Sequence, residues 1–228
     1  MKAVLEHIKA NQSIRLITYA VTSTSENRMK KLLAVMLRQR DCLVLLSPIY
    51  TCLKELIINA VKANYKNIYF ENYTPKNQAD SLIDYHMALQ LFKLEISRED
   101  SKNLSRIARK RNITAEIEFI VNDEDILSLR VTNPVPMTPS ELKTVRKKLE
   151  DARVCNDISE YFLMNADNPE NEGAGVGLVL IAMILRGLGV ELSTFVISCD
   201  DVTTTASLLI PLTAETVRHY RENTSASA

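Results

Sequence analysis

The sequence predicts an α/β protein of the α+β kind: a two-layer sandwich in which a mixed, largely antiparallel sheet carries helices on one face. Three observations predict it. Residues 114–121 and 126–131 alternate apolar and polar side chains on either side of Asn122-Asp123-Glu124-Asp125, the pattern of a β-hairpin. Residues 190–198 and 204–211 form a second pair of strand-like runs near the end of the chain. The remaining long stretches space their apolar residues at the helical period, so sheet and helices separate into two layers that bury each other's apolar faces.

In chain order, residues 1–10 have the spacing of a short amphipathic helix, and residues 14–22 carry the β-branched and aromatic side chains of a strand. Ser25 precedes a helical pattern over about 26–40, with Met29, Leu32, Leu33, Met36 and Leu37 on one face. Ser47 and Pro48 suit a helix start, the serine as a cap and the proline in the first turn, and predict a helix over about 48–65. Residues 68–73 fit a short strand or a continuation of that helix. Two further helical patterns, about 79–96 and 101–111, fall inside an insertion over about 74–112. After the hairpin, the turn-rich Asn133-Pro134-Val135-Pro136-Met137-Thr138-Pro139 leads into a charged helix over about 140–154. A polar loop to Glu172, an apolar helix to Leu185 and the two closing strands complete a single domain over 1–222, with 223–228 expected as a flexible tail.

Composition narrows the function classes. Lysine plus arginine (28) cancels aspartate plus glutamate (28), so no global field draws the chain to nucleic acid. The longest apolar run, 173–185, falls short of the ~20 residues that a membrane-spanning helix needs, and the N-terminal residues lack a signal-peptide core. A cytoplasmic protein without a membrane span is expected. Cys42, Cys52, Cys155 and Cys199 form no Cys-x-x-Cys pair, so they read as reduced thiols rather than a zinc or redox motif. His7, His86 and His219 lie in helical or terminal contexts, none directly followed by an acidic residue, and read as surface or packing residues rather than phosphoacceptors.

Two patterns carry chemistry. On the predicted helix 48–65, Leu53, Leu56, Ile57 and Ala60 form the buried stripe, while Glu55, Asn59 and Lys62 share another face at i, i+4 and i+7. A carboxylate there can orient or deprotonate a hydroxyl, an amide oxygen can ligate a hard cation, and an ammonium can meet a phosphate. The same stripe is also ordinary for a solvated helix face. The second pattern is glycine: all five glycines of the chain lie between Gly173 and Gly189, three of them in Gly173-Ala174-Gly175-Val176-Gly177-Leu178. Such a loop entering a helix exposes backbone N–H groups at a positive helix end, a physical anion site, or else serves as a flexible cap or close-packing device. It is not a P-loop, which needs Gly-Lys-Ser/Thr, nor a dinucleotide fingerprint, which needs glycine at Leu178 and a strand before it.

The order of these motifs resembles the GHKL ATPase family: DNA gyrase B, the ninety-kilodalton heat-shock chaperone, histidine kinases and MutL, with the anti-sigma-factor kinases as relatives. The resemblance rests on Glu55-x-x-x-Asn59-Ala60, a hairpin ending in a turn, a polar loop, Gly-x-Gly-x-Gly-Leu opening a helix, and two strands with Thr204-Thr205 before Leu208-Leu209-Ile210-Pro211-Leu212. It covers about 47–212 without the insertion. It implies a GHKL-like fold binding ATP and Mg2+, with Glu55 as general base, Asn59 as magnesium ligand and Lys62 as the basic position after it. It further implies that Gly173, Gly175, Val176, Gly177 and Leu178 wrap the triphosphate, that residues 156–172 form the lid, and that Thr204 helps hold the nucleotide.

One motif departs. Where the family has Asp-x-Gly-x-Gly, this chain reads Thr132-Asn133-Pro134-Val135-Pro136, with Thr132 at the aspartate, Thr132 and Asn133 as the candidate nucleotide-binding residues, and prolines at both glycines. A threonine hydroxyl accepts a hydrogen bond without the charge that roughly doubles its strength, and proline forbids the positive φ that glycine allows. Only about 45 residues precede the helix, so the resemblance implies a phosphoacceptor or partner on a separate protein. The alternative is a degenerate member that keeps the fold as an interaction module without nucleotide. Residues 98–111 hold six cations and 143–148 four more, either a patch for an acidic partner or a solvated face. The apolar circumference of 79–96 suggests a cover for the domain or a homodimer contact.

Overall fold

The computed structural model describes residues 12–71, 81–97, 101–155, 157–164 and 176–225, with the side chains of 81–86 and 97 outside the description. Strands β1 (Ile14–Thr18), β2 (Ala115–Val121), β3 (Ile126–Asn133), β4 (Phe195–Cys199) and β5 (Thr204–Pro211) form one sheet in the order β1-β2-β3-β5-β4. The expected mixed sheet is corrected: all four ladders are antiparallel. Thr18 at the end of β1 pairs with Ala115 at the start of β2, so the intervening helices bring the chain back to the end it left and β2 must run the other way. The fold is α+β, an open five-stranded antiparallel sheet with helices.

Strand parity decides what each face does. Ala115, Ile117, Phe119 and Val121 of β2 and Leu127, Leu129 and Val131 of β3 are buried, and Leu208 and Ile210 of β5 join them. The opposite face carries an ionic row in which Arg15 Nε lies 2.8 Å and Arg130 Nη1 3.2 Å from the two carboxylate oxygens of Glu118.

Helix α1 (Ser23–Arg38) starts at Thr22, whose hydroxyl accepts from the Ser25 N–H while Ser25 Oγ accepts from the Thr22 N–H. Ser25 is thus the reciprocal partner inside the helix, and the cap lies three residues earlier. Helix α2 (Leu46–Glu71) follows a 3-10 turn at Leu43–Leu45, so Ser47 and Pro48 sit within its first turn. It also absorbs the ambiguous residues after Tyr65, because Ile68 continues the buried stripe of Leu53, Ile57 and Val61. Among the described residues, 43–71 are long and apolar enough to cross a membrane by length and composition alone, a property that the core helix of a folded domain shares. Here half of the apolar window is buried inside the protein, where α2 packs on β2, β3, α1 and other helices.

Helices α3 (Ser81–Ser97) and α4 (Ser101–Lys110) cover the C-terminal half of α2. The Phe92 ring stands 5.4 Å from Tyr69 and 6.2 Å from Phe70, and Arg111 pairs with Glu71. Helix α5 (Pro139–Val154) has proline in its first turn and a capping box between Thr138 and Glu141. Part of the expected polar loop is instead helix α6 (Ile158–Met164), held by buried Tyr161 against Ala152, Val179 and Ala182. Helix α7 (Val176–Gly187) sends Arg186 back to the carbonyls of Ala152, Arg153 and Cys155, so one guanidinium satisfies the open end of α5. Helix α8 (Ala214–Ser225) extends into the first residues of the expected tail, where the Asn223 amide donates to Gly187 O at 2.9 Å. Residues 226–228 lie outside the described residues.

Gly189 ends α7 with φ +67, and a Cβ there would stand 2.6 Å from the His219 ring on α8. Gly189→Ala is therefore expected to lower stability by roughly 1–2 kcal/mol from the left-handed backbone alone. Chemical denaturation with an unchanged midpoint would contradict this. Burial tends to raise the pKa of the Glu141 carboxyl, but Lys66 Nζ at 2.7 Å and the Thr138 N–H and hydroxyl outweigh it and hold it below the ordinary 4.5. Its contribution is fully present above pH 4.5 and lost as pH falls through the lower folded-state value. Glu141→Gln should lower stability at neutral pH and flatten the acid limb of a stability-pH curve; an acid limb of unchanged steepness would show that the pair contributes nothing.

Candidate functional site

Helix α2 buries Leu53, Leu56, Ile57 and Ala60 against the core, which turns Glu55, Asn59 and Lys62 away from it. Glu55 is half-buried, whereas Asn59 and Lys62 are exposed. Among the described residues, none of the three side chains makes a hydrogen bond or ion pair. The neighbouring Lys54 differs, its ammonium lying 2.6 Å from Glu26 on α1. An uncommitted carboxylate, amide and ammonium in one row is what a ligand site provides.

The N-terminal turn of α7 meets this row at Glu55. A Cβ on Gly177 would lie 2.3 Å from Glu55 Oε2 and 3.2 Å from Cδ, so only glycine leaves room for the carboxylate in that place. Leu178 is buried in the core and Val176 is half-exposed. The first N–H groups of α7 have no partner within the helix, and they lie at its positive end. Gly173 and Gly175 fall outside the described residues, as do the expected helix over 1–10 with His7, residues 72–73 of the ambiguous segment, residues 74–80 and 98–100 of the insertion, and residues 156 and 165–172 of the expected lid.

Eleven residues after Glu55, the same helix face presents Lys66, paired with Glu141 at the start of α5. The row from Glu55 to Lys66 therefore rises about 16 Å along α2, with the beginning of α7 at one end and the beginning of α5 at the other. Lys66 was not singled out from the sequence, although it continues the i, i+4, i+7 spacing by one further turn. Nor was Asn64, which is buried on α2 with no partner for its Oδ1.

The segment after β3 departs from the expectation in one respect. Thr132 lies on the outer face of the sheet, its hydroxyl 2.9 Å from that of Thr205. The residue turned inward is Asn133, which is buried and stands opposite Thr204 in the ladder. The physical reason is parity: Leu127, Leu129, Val131 and Asn133 share one face, and Thr132 is one residue out of phase. Asn133 Nδ2 donates to Val135 O at 3.4 Å, and Thr204 Oγ1 donates to the same oxygen at 2.7 Å. Among the described residues, nothing donates to Asn133 Oδ1, which leaves a neutral acceptor beside the Thr204 hydroxyl. With Asn133 in the inward place, Val135 and Met137, not Pro134 and Pro136, occupy the positions two and four residues on.

The chemistry open to the site is bounded. Burial pushes the Cys52 thiol up to about 12, so this cysteine, three residues before Glu55, is a neutral core group and no nucleophile. Among the described residues, no three His, Cys, Asp or Glu side chains cluster as a metal site. A cation here would need the Asn59 amide oxygen together with oxygens of a bound ligand, the manner in which magnesium is held by few protein groups. His219 packs beside Gly189 and lies 3.9 Å from Glu215, in a contact between α7 and α8 away from the row.

No family model matches the chain, and no solved structure matches it. An uncharacterized protein of Treponema pallidum (strain Nichols) is similar, 29% identical over 169 residues that make up 72% of this chain and 31% of that protein. The chain thus spans about a third of the length of that relative.

Proposed function

We propose that the chain is a GHKL-type, histidine-kinase-like ATP-binding domain that serves as a signalling phosphotransferase or ATP-dependent regulator of a separate partner protein. The observation that carries this reading is the meeting of Glu55 and Gly177, two motif residues far apart in sequence, at a distance that only glycine permits. A carboxylate without other partners beside the first turn of a helix is an arrangement that suits phosphate chemistry, the carboxylate as a base and the helix N–H groups as an anion site.

In this reading the two ends of the site have separate tasks. At the phosphate end, Asn59 and the first N–H groups of α7 hold the anion and its magnesium ion, and Lys62 adds a point charge from the same face. Magnesium supplies charge neutralisation to the triphosphate when bound. Glu55, free of other partners, orients the hydroxyl or imidazole of the partner or a water and accepts its proton. At the base end, Asn133 Oδ1 accepts from the adenine amine and Thr204 completes the contact. The Val135 carbonyl holds the amide with its oxygen turned outward, because the flipped amide would set two acceptors against each other.

A neutral amide gives a weaker bond than the family's carboxylate, by about a factor of two in strength. Val135 and Met137 also bring side chains where glycines would leave the base room. These two facts favour a second reading, an interaction module of the same fold that has lost its nucleotide.

Calorimetric titration with a non-hydrolysable ATP analogue separates the two. Magnesium-dependent binding that weakens at least about tenfold in Asn59→Ala is expected. Absence of binding at millimolar nucleotide in the unsubstituted protein would leave the interaction module. A second variant tests the geometry itself. In Gly177→Ala the new methyl displaces the end of the flexible Glu55 side chain, so melting should shift little while phosphoryl transfer or hydrolysis falls as far as in Glu55→Gln. Full activity in Gly177→Ala would remove Glu55 from the reaction.

A further inference from the structure

A cleft of about 380 Å³ lies between the turn that follows α1 and one face of α8. Helix α8 gives it Ala214, Val217, Arg218, Arg221 and Glu222, spaced i, i+3, i+4, i+7 and i+8. The turn gives it Arg40, Asp41 and buried Cys42. Cys42, Ala214 and Val217 are its apolar part, and the rest of its lining is charged. Arg40 is already committed, its Nε lying 2.8 Å from Asp125. Arg218 reaches Glu215 only at 3.7 Å with both side chains well exposed, a contact worth little. Among the described residues, the side chains of Asp41, Arg221 and Glu222 make no hydrogen bond or ion pair, although both signs of charge share the cleft.

Asp41 is the most telling of them. Its φ of 54 is a left-handed backbone that glycine adopts without strain. Two other described residues that are not glycine take such a backbone, and both use their side chains there. Asn112 Oδ1 accepts from the Tyr19 hydroxyl at 2.9 Å and Asp125 Oδ1 accepts from Arg40. Asp41 alone holds its carboxylate at such a turn without a partner.

We infer that this cleft binds a small zwitterion, an α-amino acid with an aliphatic side chain, its ammonium group on Asp41, its carboxylate on Arg221 and its side chain on Cys42, Ala214 and Val217. A guanidinium meets a carboxylate through two parallel hydrogen bonds, and the volume falls within the range of small-molecule clefts. The mixture of signs selects the ligand. An anion alone would be set against Asp41 and Glu222, and a cation alone against Arg218 and Arg221, whereas a molecule with both charges close together finds a partner for each. None of the lining residues belongs to α2 or α7, so the inference stands independently of the nucleotide reading.

The test titrates the whole chain with L-leucine by calorimetry, beside isoamylamine and isocaproate, which keep the leucine side chain and lack its carboxylate and its ammonium group respectively. Saturable binding of leucine is expected, at least about tenfold weaker for either analogue and at least about tenfold weaker in Arg221→Gln and in Asp41→Asn. Asparagine also accepts the left-handed backbone, so Asp41→Asn keeps the turn and removes only the charge. Circular dichroism should show both variants folded. No saturable binding of leucine, isoleucine or valine at millimolar concentration overturns the proposal. So does binding of either analogue as tight as that of leucine, which would make the cleft a site for a single charge, and so does unchanged affinity in Asp41→Asn.

Discussion

The structure depends on one constraint: helix α2 can turn only one side to the sheet. Leu53, Leu56, Ile57, Ala60, Val61 and Ile68 take that side, and they meet Ile117, Phe119, Leu129 and Val131 in a common core. Everything else about α2 follows from this commitment. Its orientation about its own axis is fixed by burial, so the residues a third of a turn away cannot choose their direction. Glu55, Asn59, Lys62 and Lys66 face a common volume because the hydrophobic stripe leaves them no alternative. The cost of twisting the helix to hide them would be the exposure of several core side chains, each worth roughly 1.5–3 kcal/mol.

Much of this was legible in the sequence, and the reasons are physical. The spacing of Glu55, Asn59 and Lys62 against Leu53, Leu56 and Ile57 places the polar row without any tertiary knowledge, because helical period alone separates the two faces. The hairpin was equally plain, since β2 and β3 alternate cleanly around four turn residues. Helix ends were less legible where a cap competes with its own reciprocal partner, as at Thr22 and Ser25. The start of α2 was obscured by the 3-10 turn, which lets Ser47 and Pro48 sit inside a helix whose first residues look like a boundary. Residues 158–164 read as loop because a seven-residue helix has little periodicity of its own; buried Tyr161 and its neighbours on α5 and α7 hold it.

The misplacement of Thr132 has a different cause. Matching a motif letter by letter aligned threonine with an acidic residue, whereas a strand offers its side chains by parity. Counting from Leu127 would have put Asn133 inward, and with it the carbonyl of Val135 and the hydroxyl of Thr204. What the sequence could not convey is the approach of α7 to α2. The glycine run was conspicuous, but which carboxylate Gly177 makes room for is set by the crossing of two helices more than a hundred residues apart. Likewise Arg186 reads as an ordinary cation at a helix end until three carbonyls of another helix are found around it.

The thiols have a practical corollary. Cys42, Cys52 and Cys155 are buried and Cys199 is exposed, so a water-soluble maleimide meets a single target on the native protein. Cys199 is the ladder partner of Thr204, about 5 Å away across the sheet. The chain therefore carries its own attachment point for a spectroscopic reporter beside Thr204 and one strand further from Asn133, and no cysteine need be added or removed to install it.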